Sequence, residues 1–218
     1  MAEVNLLISL PKSNRNLNHR YADKDENVIE IARRYGQDYF DGDRKFGYGG
    51  YRYDGRWRSV ARDLIEYYKL KPGMRVLDIG CAKGFLVKDL MIECPGLEVF
   101  GLDISEYALL NCENDVVGRL HLGNAISLPF PNSSFDLVVS INTLHNLDRE
   151  GVIVALQEIH RVSQLASYIV VDSYRNEKEK SVFEKWVLTA KFHDFPKGWL
   201  DTFSEAGFQG DYSWTIIE

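Results

Sequence analysis

The residues best suited to ligand chemistry lie where an apolar run ends in two glycines, Gly80 and Gly84. The run Val76–Ile79, which includes Asp78, predicts a buried strand, and the glycines predict a sharp turn into a helix. Glycine has no Cβ, so a ligand can lie against the backbone, and a helix start offers unpaired N–H groups and a positive dipole end. The pattern therefore predicts a binding site for a polar group. The positive end of the helix dipole, taken alone, favours a negatively charged one.

The glycine turn has two alternative interpretations. Many strand-to-helix turns contain glycine without binding a ligand. The dinucleotide-binding fingerprint requires Gly-x-Gly-x-x-Gly, but Ala82 stands two residues after Gly80 and Phe85 stands five residues after it. Asp78 also disfavours a pyrophosphate, because a carboxylate repels phosphate and suits a cationic ligand.

Further polar residues lie where later strands are predicted to end. Asp103 closes the second predicted strand, 23 residues after Gly80, while Asn124 follows the third strand and Asn142 the fourth. Ligands of open parallel sheets bind beyond the carboxyl ends of the strands, so we expect these residues on one edge of the sheet. Two local alternatives stay open, which are a helix-capping role for Asp103 before Ser105 and a plain turn role for Asn124.

The segment Val76–Phe85 closely resembles the first motif of class I S-adenosylmethionine-dependent methyltransferases. That motif is an acidic residue followed by Gly-x-Gly-x-Gly, and here Ala82 replaces the middle glycine. The resemblance extends over roughly residues 60–175, with several motifs in the family's order. It implies a methyltransferase of the small-molecule type with S-adenosylmethionine as cofactor, whose sulfonium and ammonium groups agree with an acid at Asp78.

The resemblance also implies a role for each part of the cofactor site. Asp103 would accept hydrogen bonds from both ribose hydroxyls, and Ile104 would pack against the adenine face. Asn124 would receive the adenine amino group, where the family more commonly has Asp, and Ala125 would offer its N–H to a ring nitrogen. Residues 140–142 would lie along the methionine part. The implied cofactor-binding residues are Asp78, Gly80, Cys81, Gly84, Asp103, Ile104, Asn124, Ala125, Ser140 and Asn142.

The candidate catalytic residue is His145, just past the fourth predicted strand. Methyl displacement mainly requires alignment of the acceptor and exclusion of water. A hydroxyl acceptor benefits from a base, and an unperturbed histidine pKa of about 6.5 suits proton removal at neutral pH. Many family members carry a histidine here for binding or helix capping, so those roles stay open.

Residues 35–58 are too rich in glycine for a helix and too aromatic for a solvated linker. Within them, residues 44–58 carry five basic side chains against one acid, Asp54. We expect either a lid that binds an anionic or sugar-like acceptor by charge and stacking, or a cover whose arginines are solvated or paired with acids. The candidate substrate-binding residues are Tyr48, Tyr51, Arg56, Trp57, Arg58, Tyr174, Arg175 and His193.

Strand and helix signals alternate from about residue 59, which is typical of an α/β fold with a doubly wound, mostly parallel, Rossmann-like sheet covered by helices on both faces. Residues 1–58 are predicted to be an N-terminal extension and aromatic, basic lid, and residues 59–218 the cofactor-binding domain. We expect six to seven strands, since the family normally ends in an antiparallel pair. The seventh strand would come from Val4–Leu10 or from two short strands at the end, or be absent. The predicted strands are Met74–Ile79, Leu97–Ile104, Arg119–Leu122, Phe135–Ile141, Tyr168–Ser173 and one ending at Ile217, and the predicted later helices are Arg149–Val162, Glu177–Ala190 and Gly198–Ala206.

Composition narrows the function classes. The 218 residues carry a net charge of −6 and a pI near 5.5, which gives no global attraction to nucleic acid. Three cysteines without a Cys-x-x-Cys pair indicate neither a disulfide framework nor a zinc site, so we expect a reducing, cytoplasmic location and no metal. The apolar run Val4–Leu10 is too short to cross a bilayer and has no cleavage-site pattern, so neither a membrane partner nor a targeting signal is expected.

The sequence therefore predicts a methyltransferase acting on a small molecule, such as a sugar or another polar or anionic metabolite. The alternatives are transfer of the aminocarboxypropyl arm of the same cofactor, a non-catalytic cofactor-binding protein and, more remotely, a nicotinamide oxidoreductase. The sequence lacks the Asn-Pro-Pro-aromatic motif of amino-methylating DNA enzymes and the Pro-Cys nucleophile of cytosine-5 enzymes. It makes no prediction of the oligomeric state.

Overall fold

The computed structural model of the protein describes residues 1–11 and 22–217. In these ranges one sheet of six strands has the order β3-β2-β1-β4-β5-β6, and each neighbouring pair is parallel. The order reverses between β1 and β4, so the predicted doubly wound, Rossmann-like α/β architecture is confirmed. The strands are β1 (Arg75–Ile79), β2 (Glu98–Asp103), β3 (Leu120–Leu122), β4 (Phe135–Ile141), β5 (Ser163–Ser173) and β6 (Asp211–Ile216).

Helices cover both faces of this sheet. One core packs α3 and α4 against one face, and the other core packs α6 and α8 against the opposite face. The central strands read as nearly continuous apolar runs, such as Leu137–Val139 in β4, because both of their faces are buried. The helices are α1 (Glu26–Arg33), α2 (Gln37–Asp41), α3 (Arg58–Tyr68), α4 (Phe85–Glu93), α5 (Glu106–Leu110), α6 (Arg149–Val162), α7 (Glu177–Trp186) and α8 (Pro196–Glu205), with short 3-10 turns at Asn114–Val116 and Leu144–Asn146.

The helix predicted at Arg149–Val162 is confirmed at both ends. Asp148 caps its start, since its Oδ1 accepts a hydrogen bond of 2.8 Å from the N–H of Gly151. Val152, Leu156 and Ile159 are fully buried, as their spacing along one helix face predicts. Periodicity and a local cap were sufficient to define this element.

The last strand differs from the family's usual arrangement. Strand β6 pairs directly and in parallel with β5, from Tyr168 with Asp211 to Ser173 with Ile216, and the described residues contain no antiparallel strand between them. Beyond β6, Glu3 forms a single bridge to Tyr212, while residues 6–9 are turns. The described sheet therefore has six strands, and the run Val4–Leu10 does not form an edge strand, since the bridge to β6 is at Glu3, just before it.

Three predicted elements need correction. Residues 35–58 do contain a helix, α2, because Gly36 and Gly42 flank it and no glycine interrupts it. Strand β5 begins five residues earlier than predicted, at Ser163, where polar residues still pair with β4. Helix α7 ends at Trp186, four residues earlier than predicted, since the backbone is extended at Val187 and Leu188 packs against α1.

No helix in the described ranges combines the length and the apolar character required to span a membrane.

Candidate ligand-binding site

A cavity of about 430 Å³ opens at the carboxyl edge of the sheet, around the point between β1 and β4 where the strand order reverses. This is the edge expected for a ligand in an open parallel sheet, and the volume lies in the usual range for small-molecule pockets. Eight of the ten predicted cofactor-binding residues line it, namely Asp78, Gly80, Cys81, Asp103, Ile104, Asn124, Ala125 and Asn142.

The glycine turn after β1 has no room for side chains. Gly80 has φ +83°, and a Cβ there would lie 1.9 Å from Oγ1 of Thr143, in the loop after β4. Gly84 has φ +76°, but a Cβ there would meet Val116 and Leu120, away from the cavity. Ala82 stands at the family's middle glycine with φ +50°, a left-handed conformation that costs a non-glycine residue about 1–2 kcal/mol. Gly80 thus permits close contact between the turn and the next loop, while Gly84 permits packing of the helix.

Asp103, at the end of β2, both faces the cavity and fixes the glycine turn. Its Oδ2 accepts a hydrogen bond of 2.7 Å from the N–H of Ala82, and its Oδ1 accepts one of 2.8 Å from the N–H of Ser105. Each carboxylate oxygen has a further lone pair, so both remain able to accept bonds from a ligand. The cap of α5 is Ser105, whose Oγ accepts a bond from the N–H of Ala108, so the capping alternative for Asp103 is wrong.

Asp78 is a buried acid that lacks a donor. It lines the cavity with 5% of its surface exposed, and no residue in the described part of the chain donates a hydrogen bond to its carboxylate. Burial and the neighbouring Asp103 raise the pKa of Asp78 to about 7. A cationic group in the cavity would supply the missing partner, so the site fits a ligand that carries an ammonium or sulfonium.

The loops after β2 and β3 form a flatter part of the cavity. Ile104 is apolar yet 57% exposed, so it presents a face on which a ring can pack. Asn124 Oδ1 accepts a bond of 3.2 Å from the N–H of Ile126, as in a turn, and keeps one lone pair for a ligand. The turn role and the predicted adenine-binding role of Asn124 are therefore compatible.

Two predicted cofactor-binding residues, Gly84 and Ser140, do not line the cavity. Ser140 is fully buried in β4, and its Oγ donates a hydrogen bond of 3.1 Å to the carbonyl of Ile79 in β1. Its side chain therefore joins the two central strands.

His145 also lies outside the cavity lining, with 4% of its surface exposed. Its Nδ1 accepts a hydrogen bond of 3.1 Å from the N–H of Asp172, and its Nε2 lies 3.4 Å from the carboxylate of the same residue. Its carbonyl accepts bonds from the N–H groups of Lys191 and Phe192. Both ring nitrogens thus face protein groups, and this geometry favours a structural role, while the general-base role stays a prediction.

Replacing His145 with alanine is expected to lower the free energy of unfolding by about 1–3 kcal/mol, because it removes the buried imidazole that accepts a hydrogen bond from the part-buried N–H of Asp172. Chemical denaturation measures this change, and His160→Ala, at an exposed histidine of α6, is the matched control. An unchanged stability together with lost turnover would contradict the structural role and favour the general base.

The predicted substrate-binding residues separate into two groups. Tyr48, Tyr51 and Trp57 line the cavity. The others lie away from its lining and contact protein groups. Arg56 pairs with Asp54, Arg58 lies near Asp89 and Glu93, Arg175 pairs with Glu179, and buried Tyr174 hydrogen-bonds His193.

Several residues that line the cavity were not predicted to bind a ligand. Thr143 and Asn146 flank His145 in the sequence, so their neighbourhood was a usable signal. Arg33, at the end of α1, and Lys191, after α7, had no motif to mark them. Tyr35, Tyr39 and Phe40 also line the cavity, and only the aromatic composition of residues 35–58 had pointed to them.

The N-terminal segment is attached to the glycine turn by charge and by aromatic packing. Asp41 accepts hydrogen bonds of 2.6 Å from Nζ of Lys83 and 2.8 Å from the hydroxyl of Tyr107. Tyr51 stacks on Phe85, with ring centroids 4.6 Å apart and an interplanar angle of 14°. Burial raises the pKa of Tyr51 well above its usual value, so its hydroxyl is neutral at pH 7. These contacts join the segment to the start of α4 and close one side of the cavity.

The described residues contain no cluster of three or more histidine, cysteine, aspartate or glutamate side chains arranged to hold a metal ion.

Comparison with known proteins finds methyltransferases. Residues 77–171 match a family model described as a methyltransferase domain. The sterol 24-C-methyltransferase ERG6B of Gibberella zeae is 31% identical over 137 residues, which cover 55% of this chain and 35% of that protein. A demethylmenaquinone methyltransferase of Geobacillus kaustophilus is 31% identical over 148 residues, which cover 65% of this chain and 60% of that protein.

Among solved structures, a SAM-dependent methyltransferase from Archaeoglobus fulgidus superposes with a TM-score of 0.55 at 24% identity, covering 85% of this chain and 75% of that chain. This likeness supports the fold. The present chain spans less than two thirds of the length of the two curated relatives.

Proposed function

We propose, from the premise that the chain carries a class I S-adenosylmethionine-dependent methyltransferase domain, that it transfers a methyl group from this cofactor to a small molecule. The matched family model spans β1 to β5, the strands that carry the glycine turn and the cavity. The two curated relatives described above are named for a sterol and for demethylmenaquinone, both small molecules, which supports an acceptor of that size.

The observation that carries the proposal is the pair of acids at the cavity, Asp78 and Asp103. Asp78 is a buried carboxylate without a donor, which suits the ammonium of the cofactor. Asp103 lines the cavity, and its carboxylate has more acceptor positions than its backbone partners use, which suits ribose hydroxyls. Ile104 offers an exposed apolar face beside them for a ring. The residues present therefore fit a cationic nucleoside.

The protein's own part in the reaction is alignment and exclusion of water. When bound, the cofactor supplies a methyl group that its positive sulfur already activates. Tyr48, Tyr51 and Trp57 close the cavity above the carboxyl edge of the sheet and can hold an acceptor by stacking. We propose on this basis that residues 1–58 act as a lid on a cofactor-binding domain of residues 59–218. The acceptor would enter beneath this lid.

The cytoplasm is the proposed location, because all three cysteines are free and two of them, Cys81 and Cys94, are buried as thiols.

Calorimetry with S-adenosylhomocysteine, the demethylated cofactor, tests the binding half of the proposal. We expect one site per chain with an affinity at least tenfold above that for NAD. Incubation with methyl-labelled cofactor and cell metabolites tests the transfer half. Transfer of the aminocarboxypropyl arm would release methylthioadenosine instead, and a non-catalytic binding protein would bind without turnover.

A further inference from the structure

We propose that the half of the cavity opposite the two acids is a subsite for an anionic group of the acceptor, a carboxylate or a phosphate, with Arg33 and Lys191 as its cations. The inference rests on the proposed function, because it concerns the acceptor end of the same cavity. It replaces the arginines of residues 44–58, which the sequence had suggested for this purpose.

The charges of the cavity lining are separated along the sheet. The two acids that line it, Asp78 and Asp103, end the neighbouring strands β1 and β2. Lys191 lies on the other side of β1, because its N–H donates a bond of 2.9 Å to the carbonyl of His145, in the turn after β4. A ligand in this cavity therefore meets negative charge at one end and positive charge at the other.

Arg33 is held beside Lys191 by the backbone. Its Nη2 donates a hydrogen bond of 3.2 Å to the carbonyl of Ala190, the residue before Lys191. Arg33 ends α1 and Lys191 follows α7, so only the tertiary structure brings the two cations together. A guanidinium keeps several donors after forming one such bond, so Arg33 can still bind a carboxylate or a phosphate.

Both of these cations are exposed to solvent, and neither is paired with an acidic side chain in the described part of the chain. Arg33 and Lys191 form no ion pair with any described residue, although the protein is acidic overall. Arg34, the other cation of the lining, pairs with Glu30 at 2.7 Å. Arg56 pairs with Asp54 at 2.6 Å outside the cavity. Two unneutralised cations at one end of a cavity favour an anionic ligand there.

Asn146 adds a second requirement for the acceptor. Its Oδ1 is buried, and no described residue donates a hydrogen bond to it, although Asn146 lines the cavity. A buried hydrogen-bond acceptor without a donor is costly, so a ligand hydroxyl or N–H at this position would be stabilising. Asn146 follows His145, whose carbonyl accepts a hydrogen bond from the N–H of Lys191, so the backbone of Asn146 runs close to that of Lys191. The methyl acceptor is therefore inferred to be a small anion that also carries a hydroxyl or amine, such as a hydroxy acid or a sugar phosphate.

Calorimetry on protein saturated with S-adenosylhomocysteine tests this subsite, with inorganic phosphate and glycolate as probes at constant ionic strength. We expect the wild type to bind at least one probe, and the probe that binds more tightly identifies phosphate or carboxylate as the anion. Lys191→Gln and Arg33→Gln should each weaken that binding at least fivefold, while the affinity for S-adenosylhomocysteine changes less than twofold. Arg33→Lys should keep most of the binding because it keeps the charge.

The control variants are Lys197→Gln and Arg62→Gln, which remove the same charges at exposed positions outside the cavity lining. Both should bind the probe as the wild type does. The subsite is refuted if the saturated wild type binds neither probe, or if Lys191→Gln and Arg33→Gln bind it unchanged. Failure of the wild type to bind S-adenosylhomocysteine is a separate result, and it overturns the proposed function.

Discussion

Replacing Asp78 with asparagine is expected to weaken S-adenosylmethionine binding at least tenfold at pH 7.5, and to stabilise the unliganded protein at the same pH. The carboxylate has no hydrogen-bond donor in the described structure, so its negative charge is both costly to the fold and available to a cation. Asparagine removes the charge without a large change in volume. One substitution should thus raise stability and lower affinity.

The stability change should depend on pH in a defined direction. The folded-state pKa of Asp78 is about 7, above its ordinary value of 3.8. The unfolded chain therefore loses its proton first as pH rises, and the wild type loses stability between about pH 4 and pH 7 and no more above that. The Asp78→Asn variant does not lose this stability. The difference in unfolding free energy between the variant and the wild type should therefore grow from about pH 4 to pH 7, to at most about 4 kcal/mol. Denaturation at pH 4.5 and pH 7.5 measures it, with Asp201→Asn, at an exposed position of α8, as the control.

Binding should show the opposite dependence. Below pH 7 the wild-type carboxyl becomes protonated and loses the charge that holds an ammonium, so affinity should fall as pH is lowered from 7.5 to 6. Asp103 is the charged neighbour that raises this pKa, while Cys81 and Tyr51 stay neutral because burial raises their own pKa values. Calorimetry in buffers of different ionisation enthalpy should detect proton release at pH 6 in the wild type and none in Asp78→Asn. Equal pH profiles for the two proteins would contradict this role of Asp78.

Replacing Asp103 with alanine is expected to weaken binding of S-adenosylhomocysteine at least 100-fold. Two charge-assisted hydrogen bonds to ribose hydroxyls would be lost, each worth about 1.5–3 kcal/mol. The substitution also frees the N–H groups of Ala82 and Ser105, so the glycine turn itself should loosen. The unfolding free energy should fall by about 1–3 kcal/mol, which still leaves a folded protein for the binding measurement.

A ligand analogue separates the ribose contact from the loosening of the turn. An S-adenosylhomocysteine analogue without the ribose 2′-hydroxyl should bind the wild type more weakly than the parent compound, whereas Asp103→Ala should bind the two compounds equally. Glu98→Gln is the control, because Glu98 lies at the exposed start of the same strand. If removal of the 2′-hydroxyl weakens binding by the same factor in the wild type and in Asp103→Ala, Asp103 does not contact the ribose.

Local sequence predicted the elements whose signals are complete within a few residues. Helix α6 has its apolar spacing and the cap at Asp148 in one stretch, and both of its ends were predicted. The strand that pairs with β6 was harder to predict, because Tyr168 and Asp211 are more than forty residues apart in the chain. A strand's period shows which side chains are buried and does not show the direction of its partner.

The part of the cavity that we propose for the cofactor was predictable for the same reason. The glycine turn and the strand-end acids are each defined by a short motif, and the parallel sheet then brings strand ends to one edge. Eight of the ten predicted residues line the cavity. Gly84 and Ser140 do not, because both pack against neighbouring elements within the fold.

The sequence by itself determined the strand-to-helix turn at Gly80, the acids beside it and hence the part of the cavity that suits a cationic nucleoside. Only the tertiary structure decided which basic side chains line the opposite part of the cavity. Arg56 and Arg58 lie in a basic segment but contact nearby acids outside the cavity, whereas Arg33 and Lys191, far apart in the chain, both line it. The physical reason is that a charge acts through its distance to other charges and its exposure to water, and both are properties of the folded chain.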